Sequence, residues 1–190
     1  MEKRRAFDLR RLASAIFVLA AITVPLVTVQ AQQRRQAAMT IEALTAKVKN
    51  LEDVQQISAV LIDYGRALDA RDFRAYSALF AKDGSWSGGL GSVSGGPQAI
   101  YDFMTSRIGG GGPIGFGPTY HIMSSFKIDV NGDTATASSR WAFVTAARGP
   151  GIQVAGRYED VLIREDGLWK LRSRRALNDL SVPTSASAGR

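Results

Sequence analysis

Residues 64–86, YGRALDARDFRAYSALFAKDGSW, decide the architecture. They read as the end of a helix, a tight polar turn, a short second helix, and a strand entered through Asp83-Gly84. Asp72 is placed to cap the second helix, 73–81, because its side-chain oxygen can accept a backbone N–H that has no partner in the first turn. Asp83-Gly84 then stops the helix, and residues 85–87 form a short strand.

Upstream, Ile41, Leu44, Val48, Leu51, Val54, Ile57, Leu61, Tyr64 and Leu68 follow steps of three and four. That spacing lays them on one face of a long amphipathic helix. Asn50 with Asp53 offers a second N-cap, which would leave the residues before it as an arm for a partner subunit or the membrane-proximal side. A continuous helix is the simpler reading. Residues 32–40 are polar and expected to be loose, so 32–43 is read as a linker or helical arm.

The first 31 residues are read as an export signal. A basic start, MEKRRAFDLRR, precedes the apolar run 12–29, and Val29-Gln30-Ala31 supplies small residues for cleavage. Arg4-Arg5-Ala6-Phe7 partly matches a twin-arginine signal, although Asp8 departs from it. The expected location is periplasmic or secreted, with membrane contact only if the signal stays uncleaved. Five Lys/Arg against Glu2 and Asp8 give this segment +3 of the chain's +7, leaving +4 for the mature part. That balance does not call for a nucleic-acid partner, and none is expected.

Downstream, residues 88–96 form a glycine-serine loop, and Pro97 suits the first turn of a third helix, 98–107. A second glycine-rich loop spans 109–118. From Tyr120 the period becomes alternating. Strands 120–130 and 134–146 flank Asn131-Gly132, and strands 152–165 and 168–177 flank Asp166-Gly167, both strong hairpin signals. Helices followed by a meander of strands argue for an α+β domain over 44–178 with a curved, mainly antiparallel sheet. Residues 179–190 are expected to be a disordered tail.

Tyr64, Asp69, Asp72, Phe73, Tyr76, Leu79, Phe80, Asp83 and Gly84 together resemble the entry segment of SnoaL-like proteins. These belong to the nuclear transport factor 2-like superfamily. The resemblance implies a cone-shaped fold in which the first helix roofs an apolar pocket. It further implies cofactor-free isomerase, dehydratase or hydratase chemistry, or, in other members, binding or dimerisation without catalysis. Tyr64, Asp69 and Asp72, with Thr119-Tyr120-His121, are similar to the scytalone dehydratase-like pattern, in which a helix-end aspartate meets a strand histidine. That pattern has a second histidine on the next strand, whereas this chain has one in all.

Asp69 and His121 are therefore the candidate catalytic residues. A carboxylate holds an imidazole in one tautomer and lets it move a proton near neutral pH. Strict alternation, however, sets His121 with Met123, Ser125, Lys127 and Asp129, opposite Phe126, Ile128 and Val130. If the latter three face the core, His121 points outward unless a bulge intervenes. Asp69 also has a structural use open to it in the turn beside Arg71.

Tyr64, Trp86, Tyr120 and Tyr158 are candidate pocket walls, binding a small, largely apolar molecule through rings with polar tips. Trp141, Phe143 and Trp169 read as core. Gly156-Arg157-Tyr158-Glu159-Asp160 resembles a strand common in SnoaL-like sequences, and Asp160 suits a cross-strand arginine. Arg164, Lys170, Arg172, Arg174 and Arg175 read as a solvated or partner-facing surface, with a homodimer expected through the sheet face. With no cysteine and one histidine, thiolate chemistry is excluded and an all-protein zinc or copper site is not expected. No cofactor is expected either. Residues 110–115 satisfy Gly-x-Gly-x-x-Gly, but no helix is expected after them and Pro113 lacks an amide, so a flap or simple connection is the reading.

Overall fold

The structure, a computed structural model, describes residues 8–109, 118–145 and 151–181, with side-chain surroundings given from 29 to 180. The chain divides into two units, 1–49 and 50–190. One helix, α1, runs Asp8–Asp69. Residues 32–43, read as linker or arm, are helical, in keeping with a Gln-, Ala- and Arg-rich composition of good helix formers. The cleavage site at Ala31 is helical as well. Among the described residues no helix is long and apolar enough to cross a membrane.

In the second unit, α1 buries Ile57, Leu61, Tyr64 and Leu68, whereas Ile41, Leu44, Val48 and Leu51, which the spacing put on the same face, are exposed, because steps of three drift around a helix of 3.6 residues per turn. Asp53 ties this part of α1 to the sheet, accepting hydrogen bonds from Arg164 and from Trp169 Nε1 (3.2 Å). The helix closes through backbone bonds Asp72 N–H to Ala67 O (2.9 Å) and Arg71 N–H to Leu68 O (3.1 Å), with Arg71 in the left-handed region at φ 58. Helix α2, Phe73–Ala78, follows, capped by Asp72 Oδ1 on the Ala75 amide (2.9 Å).

Helix α2 stops three residues before its expected end because the sheet takes over. Strand β1 spans Phe80–Gly88, Phe80 pairs with Leu171, and the Leu171 amide bonds Leu79 O (2.9 Å). Strand β2, Gly91–Ser94, lies inside the stretch read as a loop. Serine and glycine carry little β signal, and the strand exists through its antiparallel register with β1, including Val93 against Trp86. Helix α3, Gly96–Met104, has Pro97 in its first turn and passes into a π-helical turn, Thr105–Gly109.

The long strands are β3 (Thr119–Asn131), β4 (Thr134–Thr145), β5 (Gly151–Glu165) and β6 (Leu168–Ser181). Both expected hairpins form. Asp166 and Gly167 take positive φ (52 and 80), whereas in the first hairpin the two-residue turn is Gly132-Asp133 with Gly132 at φ 60. The sheet order is β2-β1-β6-β5-β4-β3, parallel between β1 and β6 and antiparallel elsewhere. This is the α+β architecture of the expectation, helix on a curved open sheet. Strand β6 runs on to Ser181, past the expected domain end, because residues 178–181 pair with Val154, Ala155 and Gly156 of β5. The rest of the expected tail, most of the second glycine loop and the first residues of the export segment lie outside the described residues.

The basic run of β5 and β6 is mostly paired. Arg164 meets Asp53 and Asp133, Arg172 meets Asp83, Arg175 meets Glu159, and Lys170 donates to Ala78 O. Arg174 overturns the surface reading, since its side chain is wholly buried against Asp160.

Candidate functional site

The site is built where the end of α1 crosses the free edge of β3. Gly65 makes this approach possible. A Cβ there would lie 3.3 Å from His121 Cβ and 3.6 Å from Met123 Sδ, so a larger side chain would push helix and strand apart. Asp69 stands one helical turn further along the same face. Because the turn after α1 is closed by backbone bonds, the Asp69 carboxylate is free to reach the sheet.

Three hydrogen bonds hold it there. Asp69 Oδ2 accepts the His121 backbone N–H (2.7 Å), and Oδ1 accepts the Thr119 hydroxyl (3.1 Å) and faces His121 Nδ1 at 2.6 Å. The Asp69 and His121 side chains are 19% and 11% exposed, so the contact is shielded without being sealed. A carboxylate acceptor places the ring proton on Nδ1 and leaves the lone pair on Nε2. Nε2 makes no hydrogen bond among the described residues.

His121 faces inward because β3 carries a bulge. The β3–β4 register shifts between Ser124 and Lys127, and Ser125 sits at φ 54. His121 and Met123 can therefore share the inner face with Ile128 and Val130, which the alternation rule alone forbids. The His121 ring lies 5.1 Å from Phe143 and 6.4 Å from Trp141, centroid to centroid.

Deeper in, Trp141 stacks on Tyr158 (5.3 Å), Tyr158 meets Tyr64 edge-on (5.5 Å), and Trp86 Nε1 donates to Tyr64 OH (2.8 Å). Tyr64, Trp86 and Tyr158 are thus brought together, but as packed core, each no more than 5% exposed. Arg174 lies over the rings of both Tyr64 (3.9 Å) and Tyr158 (4.2 Å) and donates two hydrogen bonds to Asp160 (2.7 and 2.8 Å). Burial pushes the Tyr158 and Tyr76 phenols well above the usual range, with the neighbouring Tyr64 adding to it. Arg174 Nη1, Ser139 Oγ, Trp141 Nε1 and Tyr76 OH are buried without a hydrogen-bond partner among the described residues.

Tyr120 departs from this group. It is 62% exposed on the outer sheet face. With Ile62, Arg66, Asp69, His121, Ile122 and Met123 it lines a groove of about 430 Å3 along the β3 edge. Among the described residues no cluster of acidic and histidine side chains could hold a metal ion. Sequence reasoning missed Gly65, gave Thr119 no role of its own and placed Arg174 on the surface. Thr119 is adjacent to the Tyr120-His121 pair, and Arg174 was detectable only through the cross-strand position of Asp160.

The family model described as SnoaL-like domain matches residues 49–175. No curated protein matches the chain. Similar solved structures include a scytalone dehydratase-like protein from Novosphingobium aromaticivorans, 26% identical with TM-score 0.61, over 72% of this chain and 90% of that one. A Mycobacterium tuberculosis protein of unknown function is 25% identical with TM-score 0.59, over 69% and 74%. A hexachlorocyclohexane dehydrochlorinase from Novosphingobium barchaimii shares the fold, at 17% identity and TM-score 0.61, over 73% and 94%.

Proposed function

The chain belongs to the SnoaL-like domain family, and from that premise we propose that it binds a small, largely apolar molecule beside His121 and moves a proton on it without a cofactor. The observation carrying this reading is the 2.6 Å contact of His121 Nδ1 with Asp69, which leaves Nε2 as the base. When Nε2 takes a proton, the imidazolium faces the Asp69 charge that stabilises it. The reaction is isomerisation, dehydration or hydration, and the dehydratase-like relative supports the second of these. Tyr64 and Tyr158 are packed in the core and do not line the groove beside His121, so they take no part in this step. Export to the periplasm or beyond is part of the proposal, supported by the basic start and the apolar run before Ala31.

In D2O with a panel of small cyclic ketones, the protein should exchange protons beside the carbonyl, and His121→Gln should slow this by roughly 10²–10⁴-fold. Because the chain has one histidine, NMR of its ring nitrogens also reads the tautomer directly. The proton should sit on Nδ1 in the native protein and leave it in Asp69→Asn. Exchange unaffected by either substitution would sink the reading.

A second reading, a non-catalytic binding or dimerisation module, draws on the filled interior around Trp86 and Trp141. Tyr120, Ile122 and Ile152, exposed on the outer sheet face, support a homodimer there. Ligand retained by the native protein without any exchange would favour this alternative.

A further inference from the structure

Just ahead of the family-matched domain and at its start, residues 41–51 of α1 carry an exposed apolar stripe. Every described residue from 29 to 50 is exposed. Ile41, Leu44, Val48 and Leu51 are 65%, 56%, 53% and 67% exposed. Their steps of three, four and three are the a, d, a, d positions of two heptads. Continued onward, the same register lands on Gln55 and Ser58, while the buried face of the domain runs through Ile57, Leu61 and Tyr64. The stripe is therefore a separate seam and not the core face prolonged.

Its chemistry selects a partner. A β-branched residue at each a position, Ile41 and Val48, with leucine at each d position, Leu44 and Leu51, favours two parallel strands. The seam is narrow, two apolar residues in seven, whereas a helix lying on lipid presents a wide apolar face. Lys47 occupies a g position and Glu52 the e position five residues on. In a parallel pair the g residue of one helix faces that e residue of the other, so Lys47 of each copy meets Glu52 of its mate. An antiparallel pair sets g against g and would bring lysines together. The Thr45 hydroxyl, at the remaining e position, is already bonded to Ile41 O within its own helix (2.9 Å).

We propose that two copies of this chain pair in parallel through residues 41–51 of α1 as a short two-stranded coiled coil. This interface is distinct from the outer sheet face.

The full chain has no cysteine, so single cysteines report the geometry cleanly. Leu44→Cys alone and Leu51→Cys alone should each form a disulfide dimer under mild oxidation, and Ala46→Cys and Lys49→Cys, on the outer side, should not. Lys47→Glu and Glu52→Lys should each weaken the dimer by roughly tenfold, the scale of two exposed ion pairs. An equimolar mixture of those two variants should pair again. Equal cross-linking at Ala46 and Leu44 would overturn the proposal, as would cross-linking only when Leu44→Cys and Val48→Cys are mixed, the antiparallel result. A dimer that forms without cross-linking through either leucine position, by way of the sheet face, would overturn it too.

Discussion

Arg174 is the residue on which most of the interior depends. Burial alone would lower its pKa, but the Asp160 charge and its two hydrogen bonds outweigh that loss and leave the guanidinium above its ordinary value. The rings of Tyr64 and Tyr158, packed against it, add cation–π attraction in a dry setting. Removing the arginine would strand a buried carboxylate. Arg174→Met should therefore lower unfolding free energy by about 3–5 kcal/mol, and adding Asp160→Leu should restore much of it. Urea denaturation of both variants checks this, and a single-variant loss under about 1 kcal/mol would contradict it. The pairing was half legible, because Asp160 suggested an arginine across the strand. Which arginine, and that it is buried, follows from the β5–β6 register, in which Asp160 faces Arg174.

At the scale of elements, the bulge at Ser125 does most to make the candidate site. Without it, the core-facing Ile128 and Val130 would send His121 to the outer face, and Asp69 would meet only the strand backbone. The cost is a serine in the left-handed region, of order 1–2 kcal/mol. Ser125→Gly should be close to neutral, since relief of that cost offsets the flexibility glycine adds. Ser125→Val should destabilise by about 1–3 kcal/mol, because a branched Cβ tolerates positive φ poorly. Thermal unfolding reads the stability, and the His121 ring signals report whether the contact with Asp69 survives. Equal effects of the two substitutions would mean that the bulge does not depend on the left-handed serine. No local signal marks the bulge: Ser124-Ser125 reads as ordinary strand, and only the pairing of β3 with β4 on both sides of it demands an extra residue.

For the whole molecule, the buried phenols predict how stability responds to alkali. Tyr76 and Tyr158 are raised mainly by burial, so their stabilising contribution is complete below the unfolded value, about pH 10, and is lost as pH climbs through the higher folded values. In an absorbance titration, Tyr76 and Tyr158 should ionise only together with loss of structure, well above pH 10. Smooth titration of all five tyrosines in a protein still folded by circular dichroism would refute this. The sequence by itself determined the buried face of α1 over residues 57–68, the Asp72 cap, both hairpins and the family, because these depend on spacing, caps and turn chemistry within a few residues. It also named Asp69 and His121, through the resemblance. Tertiary structure alone decided that the two side chains meet, that Tyr64, Trp86 and Tyr158 are core, and that β2 exists. Each of those depends on register between segments distant in the chain, and a single bulged residue is enough to change which face a side chain occupies.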